Sequence, residues 1–235
     1  MSRVRTPVLD HGYVQLVEVW GSDSSIIEAA RMSTAKGFQG WGTPEKPGDE
    51  KLLAYLYRHK HMTPFEMCGA IFEIKAPIFV FREWHRHRTQ SYNEMSARYI
   101  PLPDENYLPG LDNVVLRSGA NANKQASGSK KITPEQAANW LHNMKQLYEL
   151  IQAEYKFGLE LGVPKELARI CLPVGRYSAM RASANLRNWM QFLELRCAAG
   201  AQEEIRLYAE AVLATLELDF PRTIALFRNK DWVVP

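Results

Sequence analysis

GAIFEIKAPIFVFREWHRHRTQSYNEMSARY, residues 69 to 99, holds both the turn from strand to helix that organises the chain and its densest chemistry. Gly69 to Lys75 (GAIFEIK) is a predicted strand, rich in β-branched and aromatic residues. Pro77 then opens a predicted helix, PIFVFREWHRH, because its fixed φ suits the first helical position and its missing N–H has no partner to lose there. From Arg82 to Tyr99 four arginines, two histidines and two glutamates crowd together. Phe79, Val80, Phe81 and Trp84 place apolar bulk against that charge, and Gln90, Ser91, Asn93 and Ser96 interleave directed hydrogen-bonding groups. A solvated basic face mixes in lysines; this run does not.

Upstream, Tyr13 to Trp20 (YVQLVEVW) reads as a strand that Gly21 ends. Ser22 to Ser25 offer N-caps, Ser25 and Glu28 have capping-box spacing, and a helix continues toward Gly37. Gly37 to Gly48 is loop, and Leu52, Leu53, Leu56 and Tyr57 predict a helix from Asp49 to His59, broken at His61-Met62-Thr63-Pro64. Downstream, the polar residues 104–131 read as a long, mobile surface insertion. Thr133-Pro134-Glu135-Gln136 combines an N-cap, a first-position proline and a capping-box glutamine. The helix it opens carries Leu141, Met144, Tyr148, Ile151 and Tyr155 at helical spacing and stops at Gly162 and Pro164. Leu186 to Ala199, Glu203 to Leu218 and Pro221 to Phe227 are predicted helices. With no repeat and no linker, the order implies an α+β fold: one domain over 1–235, a mixed or antiparallel sheet flanked by long helices.

Composition narrows the function. Hydrophobic residues make up 46% of the 235, enough for a sizeable core, so a disordered chain is excluded. A net charge of +3 is too small to imply nucleic acid by bulk electrostatics. Three cysteines without a CxxC spacing fit reduced thiols in a cytoplasmic setting. No run of apolar residues is long enough to predict a membrane span, and the first residues lack a signal-peptide core.

Three chemistries compete for the basic run. His85-x-His87 has a spacing that strand histidines use to share a metal, but Arg86 and Arg88 would set like charge beside the ion and no carboxylate cluster offsets them, so no metal is expected. Ser96 with His87 and Glu94 nominally composes a nucleophile, base and orienting acid, yet no G-x-S-x-G elbow surrounds the serine. Arginine forks bind phosphate and carboxylate bidentately, so an anionic ligand is the natural reading. A second constellation runs from Asn185 to Arg206. Leu186, Trp189, Met190, Leu193 and Cys197 make one stripe, and Phe192 and Leu195 extend it. Arg196 falls between Trp189 and Phe192, where it pairs with a carboxylate such as Glu194 or Glu203, or faces an anionic or electron-rich ligand.

At these residues the chain resembles the flavin-dependent thymidylate synthases. That family's signature, Arg-His-Arg, seven residues and Ser, is met by Arg86-His87-Arg88 and Ser96, and the wider pattern by Ser91, Asn93, Glu94, Arg98 and Tyr99. Ala29-Ala30-Arg31 with Ser33, the His61-x-Thr63-Pro64-Phe65-Glu66 turn, Arg169 before Leu172-Pro173, and Asn185 through Arg196 followed by Ala201-Gln202 fit as well. The resemblance implies the fold of that family. It implies an enzyme that makes dTMP from dUMP with methylenetetrahydrofolate as carbon donor, NADPH as reductant and bound FAD as hydride carrier, acting as a homotetramer with flavins between subunits.

Carried over by residue, the resemblance implies FAD contacts at Ser33, Thr63, Arg86, His87, Arg88, Glu94, Asn185, Arg187 and Gln191. It implies dUMP contacts at Glu83, Arg86, Glu94, Ser96, Ala97, Arg98, Arg169 and Arg196, with Arg196 the catalytic group, and places His61 and Tyr99 toward the folate or nicotinamide. Two positions depart from the pattern: Glu83 stands where relatives have Gln, and Gln191 where they have Asn or His. The rival class is a nucleic-acid-binding module that uses residues 82–99, with Trp84, Tyr92 and Tyr99 as stacking surfaces.

Overall fold

In the computed structural model, which describes residues 5–43, 45–119 and 130–229, the chain begins with β1 (Thr6–Val8) and β2 (Gly12–Trp20), followed by α1 (Asp23–Arg31), α2 (Asp49–Arg58) and a short α3 (Thr63–Glu66). Next come β3 (Gly69–Pro77), α4 (Ile78–Trp84), β4 (Ser91–Glu94) and α5 (Leu111–Arg117). Then follow the 27-residue α6 (Pro134–Glu160), α7 (Lys165–Ala168) and β5 (Tyr177–Asn185). The chain closes on α8 (Leu186–Arg196), α9 (Glu203–Asp219) and α10 (Pro221–Arg228). The five strands form a sheet of order β1-β2-β3-β5-β4 in which every pairing is antiparallel. The α+β expectation holds, and the mixed option resolves to antiparallel.

One face of this sheet is apolar. Val14 and Leu16 of β2, Phe72 and Ile74 of β3 and Met180 and Ala182 of β5 are buried, and they meet Trp189, Met190, Tyr208 and Val212 from α8 and α9 in one core. Tyr13, Gln15, Glu73, Lys75 and Arg181 alternate onto the other face, where Tyr13 and Arg181 both donate to Glu73 and Lys75 pairs with Glu105. The period slips once: a register shift between Leu16 and Glu18 leaves Val17 exposed. Gly12 has no side chain to block the Tyr208 hydroxyl, which donates to the Lys75 carbonyl at 2.7 Å; a Cβ there would lie 1.9 Å from that oxygen.

Several boundaries differ from expectation. The N-cap of α1 is Ser22, whose N–H donates to Ser25 Oγ, so the capping pair sits three residues before Ser25 and Glu28. Pro77 closes β3 rather than opening the helix, and α4 ends at Trp84 instead of running through His87. Strands β1, β4 and β5 were not expected: β1 and β4 carry no clean apolar alternation, and β5 alternates mostly through small residues, Ala182 and Ala184 between Arg181, Ser183 and Asn185. In the described part of the 104–131 stretch, expected as a mobile insertion, several contacts reach other elements. Tyr107 N–H bonds the Gly175 carbonyl at 2.9 Å, and α5 is held to α9 by Arg117 to Glu204 at 2.7 Å and Asn113 to Glu203 at 3.1 Å. Residues 120–129 of that stretch lie outside the described residues. Burial alone would raise the Glu204 carboxyl's pKa, but the bond and charge of Arg117 hold it below the usual range. Thr133 and Gln136 do form the expected capping box on α6.

Two long-range polar contacts were invisible in the sequence. Arg176 is fully buried and donates to the Pro103 carbonyl at 2.7 Å, to Gln152 at 2.6 Å and to Asp104 at 3.3 Å, which ties α6 to the sheet. Buried Asp23, on α1, caps α10: it accepts from the N–H groups of Arg222 and Thr223 at 2.8 and 3.1 Å and from the Thr223 hydroxyl at 2.6 Å.

Candidate active site

The candidate residues gather at three places. The first lies at the start of α8. Asn185 caps the helix, its side chain accepting from Asn188 N–H at 3.0 Å, and Arg187 pairs with Glu66 of α3. Asn188 donates to the Thr89 carbonyl at 3.3 Å, which brings the end of the Arg86-His87-Arg88 run alongside. Gln191 is exposed one turn beyond Arg187. Thr63 and His61 line a neighbouring groove of about 460 Å³ with Ala30 and Met67. Ser33 is near the groove wall, its hydroxyl donating to the Ala30 carbonyl at 3.2 Å.

The second place is the loop after β4. Glu94 is exposed at the strand end, and Met95 N–H bonds the Ala179 carbonyl at 2.8 Å. The chain then turns so that Ser96 Oγ accepts from Arg98 N–H at 3.3 Å, with Ala97 buried beneath. Arg98 pairs with Glu166 at 3.0 Å and Lys165 Nζ donates to the Tyr99 carbonyl at 2.9 Å, so α7 braces this loop; Arg169 follows it, exposed. Tyr99 is 75% exposed. Among the described residues no hydrogen bond joins Ser96 to His87 or Glu94, so the geometry assembles no nucleophilic triad.

The third place joins the two ends of the sequence argument. Trp84 stacks on Phe192 with ring centroids 4.5 Å apart, packing α4 against α8. That contact sets Arg196 over the C-terminus of α4. Its Nε–H donates to His87 Nε2 at 2.9 Å, Nη1 to Glu83 Oε2 at 2.8 Å and Nη2 to the Glu83 carbonyl at 2.8 Å. The carboxylate partner is therefore Glu83, not Glu194 or Glu203. His87 is buried against Phe192. Burial and the Arg196 charge push its pKa down to about 4, against a smaller opposing pull from Glu83. The imidazole is thus neutral at pH 7, and because Nε2 accepts, Nδ1 carries the proton. Arg86 and Arg88 are exposed on either side, so the run carries its positive charge on the arginines alone. His85 turns the other way, onto Phe81 and Tyr92, and does not share a centre with His87.

These places are well separated on one chain. Asn185 and Ala179 stand six residues apart on β5, about 20 Å along an extended strand. Asn185 and Arg196 stand at opposite ends of α8, about 16 Å apart. The sequence pointed to the arginines but missed two of their carboxylate partners: Glu66 was seen only as part of a turn, and Glu166 carried no signal. Within the basic run Arg98 faces Glu166, whereas Arg82, Arg86 and Arg88 stand exposed.

The chain is similar to known proteins of one family. Residues 15–222 match the family model described as thymidylate synthase complementing protein. The flavin-dependent thymidylate synthase of Ehrlichia ruminantium (strain Gardel) is 42% identical over 220 residues, covering 94% of this chain and 71% of that protein. That of Rickettsia prowazekii is 40% identical over 232 residues, covering 94% and 77%. The crystal structure of the UMP/dUMP methylase PolB from Streptomyces cacaoi, with 5-Br dUMP bound, superposes with a TM-score of 0.83 at 31% identity, over 98% of this chain and all of that one. Family match, identity and fold all lead to one assignment: this chain is an enzyme of the flavin-dependent thymidylate synthase family.

Proposed function

We propose that this chain converts dUMP to dTMP by reductive methylation at carbon 5, with methylenetetrahydrofolate as carbon donor, NADPH as reductant and FAD as hydride carrier. The observation that carries the reading is Arg196. Three of its five N–H groups are committed to Glu83 and His87, one N–H remains on each terminal nitrogen, and its side chain keeps 15% of its surface exposed. Carbon 5 of a uracil becomes nucleophilic as negative charge gathers on the ring oxygens and nitrogen 3. A guanidinium that cannot lose its proton, already fixed in place, stabilises that charge without reorganising. Ser96 Oγ and the Arg98 fork suit the phosphate, with Arg98 exchanging an exposed pair with Glu166 for a dianion. No covalent enzyme nucleophile is needed.

The first cluster fits FAD. Arg88 and Arg187 are exposed cations beside the polar Thr63, Asn185 and Gln191, suited to a pyrophosphate, and the adjoining groove presents Ala30, Met67 and His61 for a ring system. FAD bound there would supply hydride transfer, while the protein supplies orientation and field. The separation of the three places supports a site completed between subunits of a homotetramer. So does the face of α6, where Trp140, Leu147, Leu150 and Phe157 stand exposed along the helix and Leu161 at its C-cap.

Tritium release from carbon-5-labelled dUMP, measured with and without FAD, NADPH and methylenetetrahydrofolate, tests the reading, with UMP run in parallel because PolB is a UMP/dUMP methylase. Release that requires flavin is expected; its absence under every combination refutes the proposal. Stripping FAD should also lower the melting temperature and shift light scattering toward smaller species. Unchanged mass and melting temperature would count against flavin at an interface.

A further inference from the structure

We infer that Glu83 and His87 are positioning residues that fix the plane of the Arg196 guanidinium, so that its two remaining N–H groups act as a directed fork on the pyrimidine. This rests on the proposed reading of Arg196. The carry-over from the family had Glu83 among the nucleotide contacts and His87 among the flavin contacts. The geometry gives both a different task.

Arg196 is gripped from three directions by one short segment. Glu83 uses its carboxylate and its backbone carbonyl, and His87, one turn on, uses Nε2. The Glu83 carbonyl belongs to the last turn of α4, where it also accepts from Arg86 N–H at 3.4 Å, and Nη2 adds a shorter bond of 2.8 Å to that helix end. Stacking of Trp84 on Phe192 sets the distance between the two helices. Nε, Nη1 and Nη2 each spend one N–H, so the guanidinium cannot rotate about its last bonds without breaking a contact. A single acceptor would leave that rotation open.

Charge makes the same point. Glu83 contributes one negative charge, Arg196 one positive and His87 none, so the cluster is neutral overall. It attracts a ligand through direction rather than net charge, which suits a neutral uracil ring that gains charge only as it reacts. A glutamine at position 83, the residue that relatives carry there, keeps size and one acceptor for Nη1 but gives up the ion pair with the guanidinium, and in this chain the fork would loosen.

The test uses the flavin-loaded enzyme and the variants Glu83→Gln, Arg196→Lys and their combination. Oxidation of the reduced flavin on mixing with dUMP and methylenetetrahydrofolate is followed in single turnovers, and dUMP binding is measured separately by calorimetry. Glu83→Gln should slow the single turnover by roughly ten- to a hundredfold, the scale of a misplaced reacting group, while dUMP affinity changes little. In the Arg196→Lys background Glu83→Gln should cost nothing more, because the fork it aligns is gone. Losses that multiply would overturn the inference and return Glu83 to direct contact with substrate. An Arg196→Lys rate equal to wild type would instead refute the reading of Arg196 itself. His87 provides a second pair: His87→Gln, which keeps an acceptor, should retain far more of the rate than His87→Leu at equal flavin content and melting temperature. Equal losses in the two would overturn the role given to Nε2.

Discussion

Stability should fall on mild acidification through one residue, His87. Its pKa drops from 6.5 to about 4 because the folded chain buries the ring and sets Arg196 against it, while Glu83 pulls weakly the other way. Between those two values the unfolded chain binds a proton that the folded chain refuses, so unfolding takes up protons and stability rises with pH. The contribution is complete above about pH 6.5 and is lost progressively down to about pH 4. At about 1.36 kcal/mol per unit, a shift of this size corresponds to on the order of 3 kcal/mol, which screening by nearby water reduces to roughly 2 kcal/mol. Urea unfolding of wild type and His87→Gln at one protein concentration, in steps from pH 7 to pH 4.5, measures it. Glutamine keeps an acceptor for Arg196 Nε but does not titrate, so the difference between the two proteins cancels the carboxylates that titrate in both. Wild type should lose stability more steeply across this interval. Parallel curves, or a His87 that titrates near 6.5 by NMR, would refute the buried neutral imidazole and with it the Nε2 contact.

Other substitutions probe other links. Arg176→Ala should cost about 3 kcal/mol or more in urea unfolding, because it empties a buried site and leaves Gln152 and the Pro103 carbonyl unpaired; a loss below about 1 kcal/mol would mean that water replaces the guanidinium freely. Asp23→Ala removes three bonds to the start of α10 and should cost about 2 kcal/mol, with the amides of Arg222 and Thr223 gaining early hydrogen exchange. Unchanged exchange at those amides would contradict the cap. Ser96→Ala should raise KM for dUMP by the equivalent of roughly 1.5–3 kcal/mol while turnover at saturation persists. Turnover at background with flavin still bound would restore the serine as a nucleophile.

Much of this protein was legible in the order of its residues. Thr133 to Gln136 announce their helix because a cap and its reciprocal bond lie three residues apart, and local contacts of that kind need no other part of the chain. YVQLVEVW and GAIFEIK declare strands because one face must leave water. The Arg86-His87-Arg88 and Ser96 signature pointed to the family through resemblance, because its residues lie at fixed spacing along the chain. What the sequence could not carry were the contacts that join distant segments. Strand β4, with the polar residues Ser91 to Glu94, exists because β5 supplies its partners, not because its side chains demand burial. The end of α4 follows the same logic. PIFVFREWHRH has no breaker after Trp84, yet the helix stops there. There the backbone tightens into turns, Arg86 and His87 N–H bonding the Glu83 and Trp84 carbonyls at 3.4 and 3.0 Å, and the same carbonyls accept tertiary donors, Arg196 on Glu83 and the Tyr92 hydroxyl on Trp84. The charge of His87 was decided in the same place. A histidine between two arginines reads as part of a cationic run, and only the burial of its ring against Phe192, with Nε2 turned to Arg196, makes it neutral. Sequence carries hydrophobic period and residue chemistry; packing decides which donors meet which acceptors, because a hydrogen bond between residues more than a hundred apart has no local trace.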